Sequence, residues 1–422
     1  MKKLFPLLPL LALFSLLTLC YSPVLNWFFA RDDFGFLATT SLIPPRNWFF
    51  RPLSQQFYFW INTQIWGLNP LGFRLVGIFT LTINSLLVYK LLKRFYPSSI
   101  THISPIALTG FVFYAFNTIH LFEIGWISAH YQALSTLLFL LTVLLATSER
   151  RVHKSLSFVT LILAFLSGEM SIFIAPIILV YYLCTGGIYD AKNKKASPYF
   201  LLTFLYLMFY LLYVKLPGGN VYGRSFDVLT ILKTLGKYIL YPFVAGFDRN
   251  STFSLVNLLF ITRISLITLI GGYSLIASNF NKRFALFGIA WFLITVSIFT
   301  LLGNHTFAYL DAIPAIGLTM LIAAIWQSLE KKPKLFAISL IALITLSIFS
   351  LILSQKTDPD LKWLNDHQQA SRSYLENFKL PESKLVILNK NDTNLMEATY
   401  FGKLLETFFK KEDLTITLTN TK

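Results

Sequence analysis

The chain has 422 residues, of which 55% are hydrophobic and only 13% are charged, with a mean hydropathy of +0.61. A soluble domain carries about 25% charged residues, so this composition excludes an ordinary soluble protein and predicts an all-α protein that crosses a membrane several times. The net charge of +16 does not indicate a nucleic-acid partner: residues 355–422 contain ten basic and ten acidic side chains, so the whole excess lies in the apolar part, where a positive-inside bias accounts for it.

Apolar runs separated by basic clusters predict the order of the transmembrane helices. The first run, from Leu4 to Leu19, is longer than the apolar region of a signal peptide and has no small-residue cleavage site after it, so we expect an uncleaved helix that begins in the cytoplasm. If every basic cluster is cytoplasmic, the later spans come in pairs. The prediction is about eleven spans, at residues 4–26, 71–92, 103–120, 127–147, 155–167, 170–185, 198–216, 254–278, 284–302, 310–328 and 335–353.

The first outer loop, residues 28–70, contains two adjacent carboxylates, Asp32 and Asp33, directly after a hydrophobic span. Ionisable groups beside a membrane are costly unless they face water, a partner or a substrate. The alternative is an interfacial turn whose charges are simply solvated. Further along the loop, residues 43–53 mix prolines, aromatics and arginines, and Ser54 to Trp66 is predicted to be a helix on the membrane surface.

This topology places seven of the ten acidic side chains of the membrane part, together with three histidines, on its outer face. They are Asp32, Asp33, Glu123, Glu169, Asp227, Asp248, Asp311, His120, His130 and His305. A transporter more often carries such groups near the midplane, in broken helices of an internal repeat, and no repeat is evident here.

Two further sets of cations lie towards the same side. The long connection 215–253 contains Lys215, Arg224, Lys233, Lys237 and Arg249, which suggests an anionic partner, although long outer loops also escape the charge rule. Arg263 lies within a span, where we expect it to pair with a carboxylate or a lipid phosphate.

Residues 355–422 differ in composition from the membrane domain, 1–354. We expect a helix from Asp358 to Phe378, a strand at 384–388, a helix from Leu395 to Phe409 and a second strand at 414–418. This small α/β module is expected outside the cell, leaning on the membrane domain.

Several short segments coincide, in order, with those of a known family. They are Asp32-Asp33-Phe34, Arg51-Pro52-Leu53-Ser54, Trp66-Gly67-Leu68-Asn69-Pro70, His120-Leu121-Phe122-Glu123, Trp126-Ile127-Ser128, Ser167-Gly168-Glu169 with Pro176, and Tyr309 with Pro314-Ala315-Ile316-Gly317. On these motifs the chain resembles the C-type glycosyltransferases (the GT-C superfamily), specifically the protein O-mannosyltransferase-like branch with its bacterial members.

The basic positions of the family differ here. Arg74 stands where the family usually has His, Ala129-His130 replaces Gly-Arg, and Gly168 and Ala308 replace a Lys and an Arg. We therefore expect the donor phosphate contacts to come from His130, His305 or cations of the 215–253 connection such as Arg224.

The resemblance implies transfer of a mannose-like hexose from a polyprenyl-phosphate carrier to an acceptor hydroxyl on the outer face, with inversion. Asp32 is the expected base, because a positioned carboxylate takes the proton of an attacking hydroxyl, and Asp33 is the second candidate. The expected substrate-binding residues are Arg51, Arg74, His120, Glu123, His130, Glu169, Arg224 and His305. The acceptor is a protein, a lipid or a polysaccharide.

No cofactor is assigned. Two aspartates near histidines could bind a divalent cation, but relatives that use monophosphate carriers generally need none. Two other functions stay open: a transporter or flippase for a lipid-linked saccharide, and a non-catalytic scaffold whose exported tail is the functional part. The expected location is a prokaryotic cell membrane, with the N-terminus in the cytoplasm.

Overall fold

The computed structural model describes residues 7–38, 51–96, 104–186, 191–213, 223–243, 255–276, 281–303, 305–409 and 415–419. The helices of the membrane part are α1 (Leu7–Cys20), α2 (Ser22–Leu25), α3 (Asp32–Ala38), α4 (Tyr58–Trp66), α5 (Pro70–Phe95), α6 (Pro105–Ala115), α7 (His120–Gly125), α8 (Tyr131–Ala146), α9 (Arg151–Phe165), α10 (Ile174–Gly186), α11 (Ser197–Tyr213), α12 (Val228–Leu240), α13 (Leu255–Ile276), α14 (Lys282–Thr300), α15 (Pro314–Trp326) and α16 (Pro333–Thr357). The tail contains α17 (Pro359–Asn377), β1 (Leu385–Asn389), α18 (Thr393–Thr399), α19 (Lys403–Phe408) and β2 (Thr415–Thr419).

A helix lies at each of the eleven predicted spans. Within the described residues, seven helices are long and apolar enough to cross a membrane, by length and composition. These seven are Pro70–Phe95, Ile127–Ala146, Glu169–Gly186, Lys194–Tyr213, Asn257–Ile276, Lys282–Thr300 and Pro333–Thr357. The chain is therefore a multi-pass membrane protein, and eleven as the number of spans stays a prediction.

The helix ends show why the spans begin and end where they do. At the start of α5, Pro70 occupies the first turn and the Asn69 side chain accepts a hydrogen bond from the Leu71 amide at 3.1 Å. Both features satisfy a helix N-terminus, where backbone donors lack helical partners. At its other end α5 carries Lys93 and Arg94 in the last turn, where cations favour the helix dipole.

Two glycines allow α14 and α15 to approach closely. A Cβ at Gly288 would lie 2.7 Å from the carbonyl oxygen of Gly317, and one at Gly317 would lie 2.5 Å from that of Gly288. Small residues at such crossings let helix backbones pack tightly in a membrane. Gly317 in the Pro314-Ala315-Ile316-Gly317 motif therefore has a packing role.

The predicted surface helix is observed in two pieces. A π-helical turn, Pro52–Phe57, leads into α4, and both bury part of their side chains against the protein, including Ser54, Gln55 and Tyr58. The aromatic residues predicted to lie at the interface before this turn, residues 43–50, are outside the described residues.

The tail differs from its prediction in two respects. The last span, α16, continues to Thr357, past the predicted domain boundary after residue 354. The helix predicted from Leu395 to Phe409 is two helices, because Tyr400, Phe401 and Gly402 have φ values of 47°, 55° and 88°. A left-handed backbone cannot continue a right-handed helix, so the chain turns here. The two strands pair in parallel, from Leu385 opposite Thr415 to Asn389 opposite Thr419.

The tail packs onto the first outer loop. Phe28, Phe34 and Leu404 belong to one apolar cluster that spans both segments. The Phe28 and Phe408 rings stack with centroids 5.8 Å apart, and the amide of Gln368 donates to the Gly125 carbonyl at 2.9 Å. The loop that contains the two aspartates is thus covered by the C-terminal module.

Candidate active site

A cavity of about 520 Å³ lies at one end of the helix bundle, which we call the cavity end. It is lined by Asp32, Gly35 and Phe36 of α3, by Arg51 and Gln55, by Trp126, Ser128, Ala129, Tyr131 and Gln132, by Glu169, Met170 and Tyr210, by Ile298, Phe299, Leu302, His305, Tyr309 and Leu310, and by Tyr400 of the tail. Of the predicted site residues, the cavity brings together Asp32, Arg51, Glu169 and His305.

The two adjacent aspartates have different environments. Asp32 is half-buried and lines the cavity, and within the described residues no hydrogen bond or ion pair engages its carboxylate. Asp33 is fully buried: one carboxylate oxygen accepts from the Ala30 amide at 2.9 Å, and the other accepts from the Ser128 amide at 2.7 Å and hydroxyl at 2.5 Å. Successive residues of a helix point about 100° apart, and here Asp32 lines the cavity whereas Asp33 points into the protein.

Asp33 therefore positions the loop and is not placed to act as a base. Its contacts join α3 to the Trp126-Ile127-Ser128 segment, which explains why these two motifs occur together in the chain. The turn before them is strained: Arg31 has a φ of 48°, and its guanidinium carbon lies 5.0 Å from the centre of the Trp363 ring of the tail.

Arg51 and Glu169 form an ion pair on the cavity wall. The Arg51 Nε lies 3.1 and 3.0 Å from the two Glu169 oxygens, and its Nη2 lies 3.0 Å from Oε2. The guanidinium also lies 3.6 Å above the centre of the Tyr131 ring, and the Tyr210 hydroxyl donates to Glu169 at 3.1 Å. Burial by itself would lower the pKa of Arg51, but the Glu169 carboxylate and neighbouring tyrosines outweigh it and raise this pKa. The side chain consequently stays cationic in the cavity.

His305 lines the same cavity and is half-buried. Burial lowers its pKa below the usual 6.5, and the Arg51 cation lowers it further. The imidazole is therefore neutral at pH 7, and it offers a hydrogen bond to an anion rather than a positive charge.

Five of the predicted substrate-binding residues do not line the cavity, and their predicted role is revised. They are Arg74, His120, Glu123, His130 and Arg224. Arg74 is almost fully buried and donates to the carbonyls of Trp27 at 2.6 Å, Phe28 at 2.7 Å and Gly125 at 3.1 Å, so it ties the first loop to α7. Arg224 is exposed.

The His-x-x-Glu motif forms an internal pair. His120 Nδ1 lies 2.5 Å from a Glu123 oxygen, and its Nε2 lies 3.1 Å from the Tyr114 carbonyl oxygen. A carbonyl only accepts hydrogen bonds, so Nε2 is the donor to Tyr114. His130 is also buried and lies against Tyr58, with ring centres 4.5 Å apart.

Asp311, predicted on the outer face, and Arg263, predicted within a span, are both buried. Among the described residues neither carboxylate oxygen of Asp311 has a hydrogen-bond partner. The Arg263 guanidinium lies over Phe113 and Phe243, at 5.1 and 5.8 Å from the ring centres, and within the described residues it has no carboxylate partner. In place of the predicted carboxylate the guanidinium contacts aromatic faces, and its pairing with a lipid phosphate stays a prediction.

The structure adds lining residues that the sequence did not single out, among them Gln55, Tyr131, Tyr210 and Tyr400. In a chain with 16% aromatic residues, no local sequence pattern distinguishes a tyrosine that lines a cavity from one that packs in the core. Among the described residues, no group of three or more His, Cys, Asp or Glu side chains has the spacing of a metal site.

The burial of Asp33 predicts a pH dependence of stability. Burial raises the pKa of Asp33 from 3.8 to about 6, against the lowering effects of its Ser128 and Ala30 bonds and of Arg74. Between those pH values the folded protein binds a proton that the unfolded chain has released, so the contribution of this group to stability falls as pH rises from about 4 to about 6. The loss is on the order of 3 kcal/mol.

Thermal unfolding in detergent, compared between wild type and Asp33→Asn across this range, measures the effect. We expect the difference in apparent Tm between wild type and Asp33→Asn to change between pH 4 and 6 and to be constant above about pH 7. A difference that does not vary with pH would show that Asp33 does not titrate in this window.

Comparisons with known proteins are sparse at the level of sequence. No protein-family model matches the chain, and no curated protein is significantly similar to it. Among solved structures, the chain is similar to the arabinofuranosyltransferase AftD from mycobacteria, determined by cryo-electron microscopy, with a TM-score of 0.51 and 10% sequence identity. The similarity covers 90% of this chain but 29% of that enzyme, so the chain spans less than a third of its length. At this identity the likeness shows a shared fold alone.

Proposed function

We propose that the chain is a glycosyltransferase that moves a sugar from a lipid-phosphate carrier to an acceptor hydroxyl, with Asp32 as the base. The observation that carries the proposal is the position of the Asp32 carboxylate, which lines a cavity of about 520 Å³ and is not engaged by a described partner. Cavities of about 300–1,000 Å³ suit small-molecule substrates, and the likeness in fold to an arabinofuranosyltransferase favours a sugar.

In this reaction the acceptor oxygen attacks the anomeric carbon and its proton passes to Asp32. The bond from the anomeric carbon to the carrier phosphate breaks, and the phosphate leaves with the electron pair, which inverts the centre. A phosphate is already a good leaving group, so the site needs positive charge and hydrogen-bond donors rather than a general acid. Arg51 supplies the charge and neutral His305 the donor on this view.

The Glu169 carboxylate has a different role from Asp32. It is occupied by Arg51 and by the Tyr210 hydroxyl, so it is a poor proton acceptor. Its role is to hold Arg51 in one geometry.

The test is to incubate the purified protein with a panel of polyprenyl-phosphate sugars and a mixed acceptor, and to detect released carrier phosphate. The panel contains both hexoses and arabinofuranose, because the motifs resemble mannosyltransferases whereas the structural neighbour is an arabinofuranosyltransferase. Release of carrier that depends on acceptor supports transfer. Movement of intact donor across a vesicle bilayer without release would indicate a flippase instead.

The tail is predicted to take part in substrate binding through Tyr400. This residue lines the cavity although it lies 368 positions after Asp32, and its ring lies 3.2 Å from where a Cβ on Gly35 would be. Replacing Tyr400 by alanine is expected to raise KM about tenfold, since an aromatic contact of 1–2 kcal/mol is lost, with a smaller change in kcat.

The neighbouring Phe401→Ala substitution is the matched control. Phe401 has a similar left-handed backbone, is 57% exposed and does not line the cavity. The Phe401→Ala substitution should leave KM within twofold of wild type. Equal effects of the two substitutions would mean that the tail acts through stability alone.

A further inference from the structure

A second concave site lies between α5, α8 and α9. Its volume is about 430 Å³, and its walls carry three cations, Lys90, Lys93 and Arg94, with His153 beside them and four leucines of α5 and α8 below. Among the described residues that line it, none is acidic. We call it the basic pocket.

The basic pocket is at the opposite end of the bundle from the cavity. In α5, Arg74 holds the backbone just before the cavity-lining Asp32, and Lys90 follows Arg74 by sixteen residues, which is roughly 24 Å of helix. In α8, the leucines of the pocket lie near the last turn, whereas Tyr131 at the start of the helix lines the cavity. The two sites thus face opposite surfaces of a membrane that α5 crosses.

Two of the basic groups are held by neighbouring helices. The Arg94 guanidinium donates to the Leu144 carbonyl at 2.6 Å and to the Thr147 hydroxyl, so it caps the C-terminal end of α8. His153 Nδ1 lies 2.8 Å from the Ser148 hydroxyl, at the turn from α8 to α9. The pocket is therefore a formed structure rather than a set of mobile surface lysines.

We propose that the basic pocket binds the phosphate headgroup of an anionic membrane lipid, with an acyl chain along its leucines. Three cations that converge on one concave site suit a phosphate, and a basic pocket between transmembrane helices is a recognised form of headgroup site. Free phosphate would use the cations but not the apolar wall. The adjacent face of α9 is apolar and exposed, with Val152 at 69% and Leu156 at 48%, so an acyl chain can enter from the bilayer.

A positive-inside bias would also place cations at this end of the helices, but it does not require them to converge on one concave site. A second pair of lysines in the chain serves as the control for that explanation. Lys194 and Lys195 are exposed, belong to the turn Ala191–Ala196 that packs against α10, and lie outside the pocket. The cavity-lining Met170 precedes α10, so this turn is also at the end remote from the cavity.

The experiment uses the full chain in nanodiscs of phosphatidylcholine with a minority of fluorescent phosphatidylglycerol, and measures the retained anionic lipid. Lys90→Gln with Lys93→Gln should weaken retention about 25-fold, at about fivefold for each cation near the surface. Lys194→Gln with Lys195→Gln removes the same charge and should change retention less than twofold. Leu145→Trp, which fills the apolar wall and keeps all cations, should weaken retention as well.

Equal losses in the two double variants would overturn the proposal and leave only a general charge bias. So would unchanged retention in Leu145→Trp, which would show that the apolar wall contributes nothing and that the site recognises phosphate rather than lipid. Wild-type melting temperatures for both double variants confirm that a loss is not due to unfolding. Because the readout is bound lipid, the result does not depend on the proposed transferase activity.

Discussion

Replacing Asp32 by asparagine is expected to lower the rate of sugar transfer by about 10²–10⁴-fold, the usual contribution of a general base. Asparagine keeps the size and polarity of the side chain but cannot accept the proton of the acceptor hydroxyl. Donor binding should persist, because the proposed phosphate contacts are Arg51 and His305. The measurement is single-turnover release of carrier phosphate, alongside equilibrium binding of the donor.

Asp227→Asn is the matched control for Asp32→Asn. Asp227 is an exposed acid that caps α12 through the Thr230 amide at 2.8 Å and does not line the cavity. Asparagine caps a helix about as well as aspartate, so this variant should transfer sugar at the wild-type rate. If Asp32→Asn retained more than a tenth of wild-type activity, Asp32 would not be the base. If it blocked movement of donor across the bilayer, a flippase would be the better assignment.

The second large effect is expected from the Arg51–Glu169 pair. Losing a preorganised cation at a developing phosphate charge costs about 10²–10³-fold in rate, so Arg51→Gln should be nearly inactive. Arg51→Lys should recover little of it, because the paired and ring-stacked guanidinium cannot be replaced by a point charge. Glu169→Gln should also lose activity, through a misplaced Arg51, although glutamine still accepts the Tyr210 bond.

A double-mutant cycle on kcat/KM separates this coupling from general damage. If Glu169 acts by positioning Arg51, the Arg51→Gln and Glu169→Gln effects should be strongly non-additive, with a coupling of about 1–3 kcal/mol. Tyr210→Phe, which removes one hydrogen bond to Glu169, should cost only about 0.5–1.5 kcal/mol. Additive losses from the two single variants would contradict the positioning role and give Glu169 a direct one.

The motifs that suggested the family serve two different purposes in the fold. Asp32, Arg51 and Glu169 meet in the cavity, where they can contact a substrate. Trp126-Ile127-Ser128 holds Asp33 through the Ser128 amide and hydroxyl, and His120 pairs with Glu123 inside the protein. A short motif therefore marks residues that build the site as well as residues that face it, and sequence alone does not separate the two.

The residues that depart from the family pattern can also be sorted by whether they line the cavity. Arg74 stands where the family usually has His. Its guanidinium donates hydrogen bonds to three backbone carbonyls and does not line the cavity. His130 is buried against Tyr58. His130, Arg224 and His305 were expected to replace the family's contacts to the donor phosphate. Of these three, His305 lines the cavity, and His130 and Arg224 do not.

The sequence by itself determined the membrane class, the positions of the helices and the strands of the tail. These follow from the length and period of apolar runs, which are local properties of the chain. It also singled out the adjacent pair Asp32 and Asp33, because carboxylates beside a hydrophobic span have few inexpensive environments. The break between α18 and α19 was missed, since the residues that adopt the left-handed turn include Tyr400 and Phe401, which have no such preference of their own.

Only the tertiary structure decided which of the two adjacent aspartates faces the cavity. That choice depends on Ser128, which lies 95 positions further along the chain and binds Asp33. The same is true of the Arg51–Glu169 pair, 118 positions apart, and of Tyr400, which reaches the cavity from the far end of the chain. Such contacts are set by how the helices and the tail pack together, and packing is a property of the whole chain that no local pattern of residue types encodes.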